Sequence, residues 1–230
     1  IEWAISPNNP ALHHFVNVLL YAVTIGLLFK LLLKLLPGYS VWVSFAITLL
    51  FLVHPSHTEV VANIKSRDEI LCFLFFLLTF LSLLKSRNGK LFDLVKPALL
   101  FFACLLAKEA GIMYLPIFGI YFWMMKKEPV FSALKKLTPL IIMAGVWLIL
   151  HQFVIHSDPA APIQYTYHDN SLVACENGSR YATGIGLLGR YLLETVAPFH
   201  LSYDYSYNQL PCLNFTSLPV ISTLVVVVLL

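Results

Sequence analysis

"LVKPALLFFACLLAKEAGIMYLPIFGIYFWMMKK", from Leu94 to Lys127, decides the fold. Drawn as one straight helix it would be about 50 Å long at 1.5 Å per residue. That far exceeds the roughly 30 Å of a bilayer's hydrocarbon core. It also carries Lys96 near one end, Lys126 and Lys127 at the other, and Lys108–Glu109 in the middle. A hairpin of two short arms, with "KEAG" (Lys108–Gly111) at its apex, accounts for all of this. Both basic ends then share one side of a membrane, and the apex points to the other.

The composition agrees. The chain has 230 residues, 59% hydrophobic and 12% charged, with net charge +3 and mean hydropathy +0.79. A soluble domain is nearer 45–50% apolar and about 25% charged. The sequence therefore predicts an all-α, polytopic transmembrane bundle, with membrane lipid as a partner and no nucleic acid. Spans are expected near Pro10–Leu36, Val41–Val53, Glu69–Leu84, the two hairpin arms, Leu137–Ile155 and from Phe215 onward. That makes about seven spans. The stretch "YATGIGLLGRYLLETVAP" (Tyr181–Pro198) suits an amphipathic helix lying in the outer interface, with Thr183, Gly186, Arg190 and Glu194 on one face.

Positive residues sort to one side. Lys30, Lys34, Lys85, Arg87, Lys90, Lys96, Lys126, Lys127, Lys135 and Lys136 all come out cytoplasmic, as the positive-inside rule requires. The opposite side receives His54–Asp68, Lys108–Glu109 and His156–Pro211. The chain starts at Ile1 and stops within "STLVVVVLL", so it reads as a fragment of a longer protein, without a signal peptide. Its four Cys have no metal-ligand spacing. Cys72 and Cys104 lie in apolar runs and read as packing residues. Cys175 and Cys212 flank one polar region and can pair if that side is oxidising. His13–His14, a pair without further ligands, reads as interfacial.

The outer segments hold the candidate chemistry. In "HPSHTEVVANIKSRDE" (His54–Glu69), Ser56 and Glu59 match a capping box after Pro55. A helix over His57–Arg67 would put Glu59, Asn63, Ser66 and Arg67 on one face. Glu59 is then either a cap or a functional acid, and Arg67–Asp68 either an interfacial anchor or part of a site. Lys108–Glu109 is either a self-neutralising pair or a sunken phosphate contact. "PFHLSYDYSYNQLP" (Pro198–Pro211) is either an interfacial tyrosine belt or a substrate-facing loop with Tyr203 and Asp204. Asn177-Gly-Ser179 and Asn214-Phe-Thr216 match the N-glycosylation triplet, which matters only in a eukaryotic secretory setting.

Four stretches, "NPALHHFVNVLLYAV", "LFLVHPSHTEVVANIKSRDEILCFLFFLLTFL", "LLAKEAGIMYLPIFGIYF" and "LGRYLLETVAPFHLSYDYSYNQLP", together resemble the membrane half of the TMTC-type protein O-mannosyltransferases and their bacterial relatives. The resemblance implies that residues 1–230 form part of a GT-C transmembrane domain. Such an enzyme moves a mannose-like sugar from a polyprenyl-phosphate donor to a protein acceptor on the non-cytoplasmic side. It also implies that the main catalytic acid lies upstream of Ile1, with Glu59 as an auxiliary acid.

On this reading Arg67, Lys108 and Arg190 are the donor-phosphate candidates, and at least two of them would converge to within a phosphate's span of roughly 6–8 Å. Glu109 and Glu194 would steady Lys108 and Arg190. Asn63, Glu109, Tyr203 and Asp204 would face substrate. No cofactor beyond the lipid-linked sugar is expected, and no metal. The bacterial versions look closest to "LSYDYSYNQLP", which favours a bacterial inner membrane over the endoplasmic reticulum. The alternatives are a non-catalytic membrane scaffold and a transporter of lipid-linked sugar. A transporter should show inverted repeats, and the sequence has no visible repeat.

Overall fold

The side chain of Asn9 accepts from the Leu12 N–H at 3.2 Å, and Pro10 fills the first helical position, where its missing N–H costs nothing. Helix α1 thus begins at Pro10 and runs to Leu35. The computed structural model describes residues 9–85, 91–157, 171–199, 201 and 210–229. Every element among them is helical. After the Pro37–Gly38 turn, Ser40 caps α2 (Val41–Leu52) through the Trp42 N–H. Then come α3 (His57–Ala62), a 3₁₀ turn (Ile64–Ser66) and α4 (Arg67–Lys85).

The stretch Leu94–Lys127 folds back on itself. Helix α5 (Leu91–Ala107) stops at Lys108, whose backbone is extended (φ −155°, ψ 137°). A 3₁₀ segment (Glu109–Tyr114), helix α6 (Leu115–Ile120) and a π turn (Tyr121–Met125) form the second arm. Phe101 and Phe118, one from each arm, meet edge to face at 5.9 Å between ring centroids. Buried Gly111 makes the tight apex possible. A Cβ there would lie 2.9 Å from the Cys104 sulfur and 3.2 Å from both the Cys104 carbonyl and the Cys72 sulfur. Cys72 and Cys104 are themselves buried in the core, their sulfurs 3.5 Å apart.

Helix α7 (Val130–Ser157) completes the first of two units, Ile1–Asp158. Its core is aromatic. Phe76 stacks on Tyr114 at 4.2 Å, Phe80 meets Phe118 and Tyr121, and Leu77, Phe101, Phe118 and Leu140 are fully buried. The second unit, Pro159–Leu230, contains a 3₁₀ turn (Ser171–Ala174), α8 (Asn177–Val196) and α9 (Leu218–Leu229). In it Cys175 and Cys212 form a disulfide.

Two helices, Pro10–Leu35 and Val130–Val154, are long and apolar enough to cross a membrane. Val41–Leu52, Glu109–Met125 and Leu218–Leu229 are apolar but shorter. Among the described residues, then, two helices combine the length and the apolar composition of a straight crossing, and about seven spans are not established. The outward faces are greasy: Leu19, Val23, Trp42, Leu50, Ile149 and Val154 are all exposed.

Candidate functional site

Asp68 and Glu69 occupy the first turn of α4, where the helix dipole favours carboxylates. Lys108 reaches them from the hairpin apex. Its ammonium hydrogen-bonds Glu69 and lies 3.4 Å from Asp68. The hydrogen bond it donates to Glu69 raises the Lys108 pKa above its ordinary value, so the group stays charged at neutral pH. Glu109 is therefore not its partner. Lys108 is extended, so it and Glu109 diverge, and Glu109 instead lies 3.7 Å from the His151 imidazole. His151 in turn stacks on Trp147.

Arg67 is held from α1. Its Nε donates to Asn17 Oδ1 at 2.8 Å, and its Nη2 donates to the His13 carbonyl at 3.1 Å. Asn17 is fully buried, and its Nδ2 donates to the carbonyls of Val61 (3.4 Å) and Asn63 (3.2 Å). The sequence reading missed Asn17. The signal was there: an amide inside an apolar helix needs a partner, and the partner lies 50 residues away in another element.

The helix expected over His57–Arg67 is broken. Asn63 is extended (ψ 118°), and its side chain accepts from the Lys65 N–H at 3.0 Å. Glu59, Asn63 and Arg67 consequently do not share one helical face. The capping box is absent too. Ser56 is itself in a helical conformation and makes no side-chain cap bond. The N–H groups of His57 and Thr58 are already taken by the carbonyls of His54 and Pro55. Glu59 is exposed and has no side-chain partner among the described residues.

His57, by contrast, is half-buried. Its Nδ1 is 2.7 Å from the Phe51 carbonyl and 3.2 Å from the Tyr21 hydroxyl. Burial lowers its pKa, the Phe51 hydrogen bond opposes that, and nearby His54 lowers it further.

Within the second unit, Thr183 and Gly186 are buried rather than on a polar outer face. Thr183 accepts from the Leu213 N–H at 2.8 Å. A Cβ on Gly189 would overlap Thr223, so the glycines let α9 lie against α8. Arg190 pairs with Glu194 at 2.8 Å. Arg190 also lines a largely apolar cleft of about 810 Å³ with Leu187, Leu193, Val196, Leu210 and Val226. Tyr203 and Asp204 lie outside the described residues. No cluster of three or more metal-binding side chains occurs among the described residues.

The chain is similar to the mouse Protein O-mannosyl-transferase TMTC2 (Mus musculus), at 28% identity over 93% of this chain and 27% of the relative. It is 30% identical to Protein O-mannosyl-transferase tmtc2 of Xenopus laevis, over 90% of this chain and 26% of the relative. The human TMTC2 protein (Homo sapiens) matches at 28% over 93% of this chain. Over nine-tenths of its length, then, the chain is similar to TMTC proteins. The chain spans about a quarter of the length of those relatives. No protein-family model matches it, and no solved structure matches it significantly.

Proposed function

We propose that this chain belongs to the TMTC family and is part of a multi-pass GT-C glycosyltransferase. It would move a mannose-like sugar from a polyprenyl-phosphate donor to a protein acceptor on the non-cytoplasmic side. The observation that carries the reading is the similarity, over nine-tenths of the chain, to proteins named as O-mannosyl-transferases. The chemistry of the polar cluster supports it. A lipid-phosphate donor keeps its tail in the bilayer and its sugar outside, so it needs a cation at the interface.

Arg67, held from α1 by Asn17 and the His13 carbonyl, is one candidate for that cation. Lys108, paired to Glu69, and Arg190, paired to Glu194, would each have to exchange a carboxylate to reach the phosphate. Exposed Glu59 is available as the auxiliary acid. Asn63, Glu109, Tyr203 and Asp204 remain the substrate-facing candidates, and a bacterial inner membrane the proposed location.

The test is reconstitution of the intact protein in liposomes with labelled polyprenyl-phosphate-mannose and an acceptor protein. Label appearing on the acceptor is the expected result. Movement of lipid-linked sugar between leaflets without transfer would mark a transporter. Neither activity would mark a scaffold.

A further inference from the structure

Cys72 and Cys104 stand on neighbouring helices, α4 and α5, 32 residues apart in sequence, and both are buried. Their sulfurs are 3.5 Å apart. The Cys104 thiol donates to the Cys72 carbonyl at 3.2 Å, and the Cys72 thiol faces the Lys108 carbonyl at 3.9 Å. Gly111 closes the remaining side, since a Cβ there would lie 2.9 Å from the Cys104 sulfur and 3.2 Å from that of Cys72. The two sulfurs are thus enclosed by α4, α5 and the apex, each the other's partner. A disulfide bond is about 2.05 Å long, so the sulfurs need to close by about 1.5 Å, a step of side-chain rather than helix size.

The pair lies close beneath the polar end of the unit. Cys72 is one turn along α4 from part-exposed Glu69, and Ala110, beside Gly111, is exposed. Burial shuts out a protein oxidoreductase, but a small neutral oxidant has only the apex to pass. The disulfide of the second unit puts the chain in a compartment where thiols are oxidised.

We propose that Cys72 and Cys104 are a modification site, a dithiol that hydrogen peroxide converts to a disulfide tying α4 to α5 beneath the apex. In the first step one thiol sulfur attacks a peroxide oxygen. The O–O bond breaks, the sulfur becomes a sulfenic acid, and the thiol proton leaves with the displaced oxygen as water. In the second step the other sulfur attacks the sulfenic sulfur. The S–S bond forms, the S–O bond breaks, and the second thiol proton leaves in a second water. The peroxide takes up the two electrons that the sulfurs lose. A thiol 3.5 Å away captures the sulfenic acid before more peroxide carries it to the irreversible sulfinic state. Because the Lys108 carbonyl rests on Cys72, the bond also steadies the apex that carries Lys108.

The experiment uses the intact protein in lipid nanodiscs, treated with hydrogen peroxide while folded. Catalase stops the reaction, remaining thiols are alkylated in denaturant, and the peptides are mapped by mass spectrometry. One new linked pair is expected, Cys72 with Cys104, beside Cys175 with Cys212. Dithiothreitol should return the new pair to thiols. In Cys104→Ala, Cys72 has no partner and dimedone should trap its sulfenic acid. Cys72→Ala should expose Cys104 in the same way, so the test stands if one variant fails to fold. Both thiols recovered alkylated, with exposed Met113 oxidised to the sulfoxide, would overturn the proposal, because the oxidant arrived and the pair did not respond. Sulfinic acid on either cysteine of the parent, without a link, would overturn it too. So would links from this pair to Cys175 or Cys212. A second readout is thermal unfolding. Peroxide should widen the gap in midpoint between the parent and Cys104→Ala in the parent's favour. A linked parent with an unchanged gap would overturn the tie between α4 and α5.

Discussion

Lys108 and Glu69 meet across a long loop of chain, and the pair they form with Asp68 is only part-buried, with side-chain exposures of 30%, 44% and 42%. Solvent screens such a pair, so its net worth is about 0.5–1 kcal/mol. Lys108→Met is expected to lower the unfolding midpoint by an amount of that order in detergent. It leaves two adjacent carboxylates without their cation, though the α4 dipole softens the loss. Glu69→Gln should cost less, because Asp68 still faces Lys108. Lys108→Met with Glu69→Met should cost less than the sum of the singles, as a double-mutant cycle by thermal unfolding would detect. Additive losses would mean that the contact contributes nothing.

This is also where sequence reading reached its limit. "KEAG" displays Lys108 beside Glu109, and the obvious inference pairs them. Adjacent residues at an extended position point apart, and the true partners came from α4. Asn17 was hidden for the same reason, since nothing local in "FVNVL" names Arg67 as the group it holds.

The elements were more legible. The length of Leu94–Lys127 was enough to predict the hairpin, because no bilayer takes so long a straight helix. α1, α2, α4 and α8 begin and end within a few residues of their expected limits. What failed was local chemistry with two solutions. Ser56 and Glu59 have the spacing of a capping box, but Ser56 is itself helical and its N–H donates to the His54 ring instead. Thr183 and Gly186 looked like a polar face, yet both are buried against Leu213, Thr183 by accepting its N–H and Gly186 by leaving room for its side chain.

Gly111 tests the hairpin itself. A methyl group there must displace the Cys104 sulfur or backbone, so Gly111→Ala is expected to cost about 1–3 kcal/mol, as overpacking does. Cys104→Ala in the same chain removes the nearest clash and should restore part of the loss. A neutral Gly111→Ala in chemical denaturation would mean that the apex is looser than described.

The disulfide of the second unit is open to a similar test. Cys175 and Cys212 are 37 residues apart, and closing a loop of that size stabilises by about 3–4 kcal/mol in the chain-entropy account. Reduction, or Cys175→Ser with Cys212→Ser, should expose this unit to protease well before the first unit is cut. Equal cleavage rates with and without reductant would contradict it.

At the scale of the first unit, charge is segregated along the helices. One end gathers Arg67, Asp68, Glu69, Lys108, Glu109 and His151, linked by the contacts between α4, the apex and α7. The other end has Lys85 closing α4 and Lys126 following the π turn. There Glu128 also binds Lys136 at 2.6 Å and Ser132 at 3.1 Å. Between the two ends lie apolar helix faces and an aromatic core. If the lysine end is cytoplasmic, as the positive-inside rule requires, the mixed-charge end faces outward, where a phosphate-linked sugar would be presented.

Two exposed positions separate the alternatives: Ala110 at the apex and Val130 beside the lysine end. Neither carries a charge that could itself set orientation. The free cysteines already present, Cys72 and Cys104, are buried and should stay silent. Ala110→Cys is expected to react with a membrane-impermeant maleimide on intact cells. Val130→Cys is expected to react only after permeabilisation. The reverse pattern would put Arg67 and its Asn17 support on the cytoplasmic face, and with them the proposed donor site, away from any acceptor outside the cytoplasm.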